Sequence, residues 1–234
     1  MNPTIETIAK LVLSPLLVAQ ALKVRNTAST LPEPPGHRSG QFGIGTPLRL
    51  LIVGDSSAAG VGAKHQNEAL SGQLVQALGS SHRIDWKLVA RTGATTREAL
   101  PLLRSQISVP TDVALVVLGV NDVTSQIPLA HLLQAREKLY EHLFSVWGAK
   151  RVIAAGIPPL GNFPLLPQPL RWFLGVQARR FDKALQRQAQ ELGVDYVPFD
   201  IPLTLEMMAE DGFHPGVNAY FLIGRTVAEK ILHR

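Results

Sequence analysis

LRLLIVGDSSAAG, residues 48–60, passes from a nearly unbroken apolar run to a turn of small and polar residues. Residues 48–53 are too few for a helix and too uniformly apolar for a strand with one wet face. They fit a strand buried on both faces, as in a parallel sheet covered by helices. Gly54-Asp55-Ser56 then reads as the turn from that strand into a helix.

The rest of the chain repeats the alternation. Strands are predicted at 84–90 (IDWKLVA), 113–118 (VALVVL), 151–156 (RVIAAG) and 194–199 (VDYVPF). Helices are predicted between them. Residues 67–78 place Leu70, Leu74, Val75 and Leu78 on one face, and Gly79 is a good stop. Residues 96–107 follow a cap at Thr95 or Thr96, with Pro101 weakening the pattern. Residues 128–147 start at Pro128 and carry Leu132, Leu139, Leu143 and Phe144 inward. Further helices cover 170–192 and a stretch from near Pro215 to about 231. Strands joined by helical crossovers give a parallel sheet with helices on both faces, a doubly wound α/β/α sandwich. In such sheets the site lies beyond the carboxyl ends of the strands.

Outward from this domain, at 48–234, the chain changes character. Residues 26–47 are rich in Pro, Gly, Ser and Thr and read as a linker. Residues 1–25 hold an apolar run at 11–22 that is too short to span a bilayer. Ala19-Gln20-Ala21 has the form of a signal cleavage site, but Glu6 precedes it and Lys23 and Arg25 follow at once. A retained helix, docked on the domain or in peripheral contact with a membrane, is favoured over a cleaved leader. Cytoplasmic or membrane-associated placement follows from that reading, with export left open.

Composition removes whole classes of function. The 234 residues include no cysteine, so disulfides, thiolate metal sites and a cysteine nucleophile are excluded together. The seven histidines are scattered, and no H-E-x-x-H or comparable metal cluster occurs. No phosphate loop of the form G-x-x-x-x-G-K-[ST] is present, and no G-x-G-x-x-G follows a strand, so a nucleotide-binding module is disfavoured and no cofactor is expected. The net charge is +5, yet no basic stripe is interleaved with aromatics, and no nucleic-acid partner is expected. Arg179, Lys183 and Arg187 share a helix face, which reads first as a solvated surface and second as a contact for anionic lipid.

Four strand ends carry polar or glycine-bearing turns: Gly54-Asp55-Ser56, Arg91-Thr92-Gly93-Ala94, Gly119-Val120-Asn121-Asp122 and, well after the fifth strand, Asp211-Gly212-Phe213-His214-Pro215. Singly, each also reads as a cap or turn. Jointly they supply what acyl transfer needs. Ser56 is the candidate nucleophile and His214 the candidate base. Asp211, three residues earlier, can reach the ring's Nδ1–H in one tight turn and fix the tautomer. Oxyanion donors would be the backbone N–H groups of Ser56 and Gly93 and the side-chain amide of Asn121.

These blocks resemble the SGNH hydrolases, the GDSL-type lipases and esterases. Serine, glycine, asparagine and histidine stand in the family's order as Ser56, Gly93, Asn121 and His214, and Asp211 matches the aspartate of the fourth block. The resemblance covers roughly 48–231. One departure is Ser57, where the family name has leucine. The resemblance implies a five-stranded parallel sheet in flavodoxin-like order, no metal, and hydrolysis of esters or thioesters. The favoured function is cleavage of short- to medium-chain carboxylic esters. Thioesters, lysophospholipids and acetylated sugars are alternative substrates on the same fold. A conventional α/β-hydrolase is disfavoured because its serine usually follows several strands. A non-catalytic binding protein is the alternative of a different class.

One segment bears on the acyl group. IPPLGNFPLLPQPLRWFLG, residues 157–175, holds five prolines among Leu, Phe and Trp. It is either a rigid surface connection or a wall of the acyl pocket, with Phe163, Leu165 and Leu166 as candidate liners.

Overall fold

The structure is a computed structural model that describes residues 3–27, 31–199 and 201–233. Residues 28–30 of the expected linker and the first two residues of the amino-terminal segment lie outside the described residues.

The order along the chain is α1 (Pro3–Thr27), β1 (Ser39–Phe42), β2 (Thr46–Gly54), α2 (Ser56–Ala59), α3 (Leu70–Leu78), β3 (His82–Ala90), α4 (Thr96–Arg104), β4 (Val113–Val117), α5 (Val120–Thr124), α6 (Leu129–Ser145), β5 (Arg151–Ala155), α7 (Leu170–Glu191), β6 (Asp195–Val197) and α8 (Val217–Leu232). The strands lie in the order β1-β3-β2-β4-β5-β6. Those from β2 to β6 are parallel and have the flavodoxin-like order expected.

Alternation along the buried strands divides the core. Leu50, Ile52, Leu115 and Ile153 face α3 and α8, where Leu74, Leu78, Val227 and Ile231 meet them. Leu51, Val53, Ala114, Val116, Val152 and Ala154 face the opposite layer, with Leu103 of α4 and Leu139 and Leu143 of α6. Strands wet on neither face cannot alternate polar and apolar residues, which is why β2 and β4 read as continuous apolar runs.

Three expectations need correction. The sheet has a sixth strand: β1 pairs antiparallel to β3, Ser39 opposite Lys87 and Phe42 opposite Ile84. It lies in the stretch read as linker. All four β1 residues are exposed, so they lack the apolar alternation that marks a strand, and the strand is held by backbone pairing. Phe144 points outward rather than into the core; Arg136 and Tyr140 are buried on α6 instead. α4 runs through Pro101 but ends at Arg104, short of 107.

A third apolar cluster sits outside the two sheet faces. Leu160, Phe163, Leu166, Leu170, Leu174 and Met208 form it, with Leu17 of α1 seated among them.

Candidate active site

The first three blocks follow strands, and the fourth sits in a turn closed by pairing of Met208 with Pro215. Gly54 ends β2 where no side chain fits: a Cβ there would stand 2.4 Å from Ala58 Cβ and 2.5 Å from Val117 O. Asp55 turns its Oδ1 onto the backbone N–H of Ser57 at 3.0 Å and so starts α2. Ser56 is the first residue of that short helix. After β6, Asp211 accepts the backbone N–H groups of Phe213 and His214 on Oδ1, each at 3.0 Å. Gly212 adopts φ +61° inside this turn.

The two ends meet across 158 residues. His214 Nε2 lies 2.9 Å from Ser56 Oγ, and His214 Nδ1 lies 2.5 Å from Asp211 Oδ2. The ring is therefore held by the carboxylate on one side and presented to the hydroxyl on the other. Burial raises the Asp211 carboxyl, but its bonds to the His214 ring and to the two backbone N–H groups outweigh this and hold it below the usual range. A carboxylate held low contributes stability that is present above the unfolded value and lost as pH falls through the folded one, so this turn weakens only in acid.

The remaining blocks close on the serine. Asn121 Nδ2 donates to Ala94 O at 3.1 Å and reaches Asp55 Oδ2 at 3.4 Å, which ties the third block to the second and the first. Among the described residues no hydrogen bond uses the backbone N–H of Ser56 or Gly93. Gly93 has φ +79°, and nothing lies within 4 Å of where its Cβ would stand, so this side of the site is open.

Several supporting residues escaped the sequence reading. Glu33, in the stretch read as linker, accepts both the backbone N–H and the hydroxyl of Thr92 at 2.7 Å and pairs with Arg38 at 2.7 Å. It straps the turn that carries Gly93. Asp122 accepts the backbone N–H and hydroxyl of Thr96, at 3.0 and 2.9 Å, joining the Asn121 turn to α4. Beneath them Arg136, buried, donates to Leu118 O at 2.9 Å. A lone Glu in a proline-rich stretch and an Arg on a helix give no signal of such roles in one sequence. Asp55 and Asp122 adjoin named site residues, and that adjacency was the available signal. Burial pushes the Asp55 carboxyl up to about 6 against the opposing pull of the Ser57 N–H and nearby His214; burial likewise raises Asp122.

A cavity of about 60 Å³ opens beside Ser56 and His214. Its walls include Val117, Ala155, Phe163, Ile201, Tyr220 and Ile223. Of the three expected liners, the structure brings only Phe163 to it. Phe163 also meets Phe213 edge-on, centroids 5.4 Å apart, and Phe213 meets the His214 ring in the same way. Leu166 packs into the third core cluster instead, because its side chain is buried among Leu160 and Leu170. Leu165 is 57 % exposed and lies over Gly212, where a Cβ would stand 2.1 Å from its Cδ1. It covers the turn rather than the cavity.

The chain is similar to several known proteins. A GDSL-like esterase of Mycobacterium tuberculosis is 26 % identical over 189 residues, which span 75 % of this chain and 59 % of that protein. The chain thus spans about 59 % of the length of that relative. Among solved structures, the aryl esterase of M. smegmatis aligns with TM-score 0.60 at 17 % identity, covering 79 % of this chain and 98 % of that one. Est24, a carbohydrate acetylesterase from Sinorhizobium meliloti, aligns with TM-score 0.59 at 19 % identity, covering 79 % and 98 %. The psychrotrophic esterase EstA from Pseudoalteromonas sp. aligns with TM-score 0.58 at 21 % identity, covering 79 % and 96 %. These likenesses establish the SGNH hydrolase fold. Residues 52–221, which enclose every block from Ser56 to His214, match the GDSL-like lipase/acylhydrolase family, and the chain belongs to it.

Proposed function

We propose that this chain hydrolyses carboxylic esters of small acyl groups through an acyl-enzyme formed on Ser56. The observation that carries the reading is the unbroken line from Asp211 Oδ2 through the His214 ring to Ser56 Oγ, with steps of 2.5 and 2.9 Å. Asp211 holds the Nδ1–H tautomer, so Nε2 is left as a base. Ser56 Oγ attacks the ester carbonyl carbon as Nε2 takes its proton. The carbonyl oxygen becomes an oxyanion facing the N–H groups of Ser56 and Gly93 and the amide of Asn121, whose long 3.4 Å contact to Asp55 Oδ2 is exchanged for it. Collapse breaks the bond to the alcohol oxygen, which takes the proton back from Nε2. Water then repeats the sequence on the acyl-enzyme, releasing the acid and restoring Ser56.

Asn121 tests the oxyanion assignment. Asn121→Ala should lower kcat by about 10²–10³ with little change in KM, since the amide serves the transition state. Steady-state kinetics on a purified, folded variant decides it; a change confined to KM would move Asn121 to ground-state binding.

The cavity supports a small acyl group. Its volume of about 60 Å³ is well under the roughly 150 Å³ of an apolar cavity that holds benzene. The open side at Gly93 leaves room for a bulky alcohol or aryl leaving group. Across p-nitrophenyl esters of rising chain length, kcat/KM should peak between acetate and butyrate. At octanoate it should be about tenfold lower or less, because surplus methylenes must displace packed side chains. Rates that climb steadily to octanoate would refute the small-acyl reading while leaving the serine chemistry intact.

A further inference from the structure

Residues 12–24 of helix α1 are mostly apolar, and the domain covers one side of this stretch. Leu13, Leu17 and Val24 pack into the cluster of Leu160, Phe163 and Leu170. Gln20 fixes the same side: its Nε2 donates to Gln168 O at 2.7 Å and its Oε1 accepts from Leu170 N at 3.1 Å. These four positions share one arc at 3.6 residues per turn. Outside that arc Val12, Leu16, Val18 and Leu22 stand 73, 47, 58 and 54 % exposed. Pro15 and Ala19 lie exposed among them. An apolar helix face is ordinarily buried, yet in this stretch the outer residues are exposed.

Charge indicates what covers it. α1 has three basic residues to one acidic, and α7, against which it packs, has five to two. The two helices therefore carry the whole +5 of the chain, and the rest is neutral. On α7, Arg179, Arg180, Lys183 and Arg187 are exposed, and none forms an ion pair among the described residues. A second copy docked on α1 would bring two such positive surfaces together. An anionic bilayer instead matches both features, apolar contact and positive charge. No helix among the described residues is long and apolar enough to cross a membrane, so the helix would lie in the interface.

We infer that the exposed face of α1, together with the exposed basic residues of the adjoining helix α7, docks this domain on an anionic lipid surface. The cluster that anchors α1 includes Phe163, a wall of the cavity beside Ser56, so docking holds the candidate site close to that surface.

The full chain can be sedimented with phosphatidylcholine vesicles with and without phosphatidylglycerol. Binding is expected to the phosphatidylglycerol vesicles and to weaken as salt rises. Val18→Asp with Leu22→Asp should reduce it at least tenfold or so, and Lys183→Glu with Arg187→Glu similarly. Both variants should keep wild-type circular dichroism and wild-type turnover of a soluble ester. The α7 pair keeps the test valid if the α1 pair does not fold. Absence of vesicle binding, equal binding to both vesicle types, or undiminished binding by the folded variants would overturn the inference. So would a concentration-dependent dimer in analytical ultracentrifugation that is lost in Val18→Asp with Leu22→Asp and accompanied by no vesicle binding.

Discussion

Ser56→Ala is expected to lower kcat for ester hydrolysis by ~10⁴-fold or more while the protein stays folded. The large effect follows from the proposed chemistry: His214 Nε2 meets this hydroxyl at 2.9 Å, and without it the proposed acyl-enzyme cannot form. What remains is whatever the oxyanion donors can do for attack by water. The intact fold follows from the local backbone. Ser56 O accepts from the N–H groups of Gly60 and Val61, each at 3.0 Å, and these bonds do not involve the side chain. α2 already carries Ala58 and Ala59, so alanine is at home there. Kinetics and circular dichroism on the purified variant check both parts. Turnover within tenfold of wild type would remove Ser56 from the mechanism.

Asp211→Asn is expected to cost on the order of 10³–10⁴ in kcat, again with the fold kept. The two oxygens of Asp211 do different work. Oδ1 caps the turn through the N–H groups of Phe213 and His214, and the amide oxygen of asparagine can continue to do so. Oδ2 accepts from the His214 ring, and there the amide presents N–H groups instead. The ring would then carry its proton on Nε2 and donate to Ser56 where it should accept. Proton-detected NMR of the imidazole nitrogens, alongside kcat, tests the tautomer directly. Full activity in Asp211→Asn would mean that the ring is oriented by something other than this carboxylate.

The parallel sheet and the four site blocks were legible in the sequence because each rests on a local signal. Buried strands such as β2 and β4 must be nearly continuously apolar, and the turns after them must hold polar atoms at one sheet edge. Ser56, Asp211 and His214 then needed only the fold to meet. What stayed hidden depends on pairing across long distances. β1 has no buried face, so nothing in Ser39–Phe42 distinguishes it from a loop. Glu33 acts on Thr92 from 59 positions away. Leu165 and Leu166 are adjacent apolar residues, yet one covers Gly212 and the other enters the core, a difference set by tertiary packing.

Covalent labelling measures the central claim most directly. A fluorophosphonate reacts with a serine made nucleophilic by its base and leaves a stable adduct on that oxygen. Incubating the folded protein with it and mapping the modified peptide by mass spectrometry should place a single adduct on Ser56. The adduct should block ester hydrolysis in proportion to its occupancy and should be absent from Ser56→Ala. Labelling at another residue, or full hydrolytic activity in a protein whose Ser56 is quantitatively modified, would contradict the account.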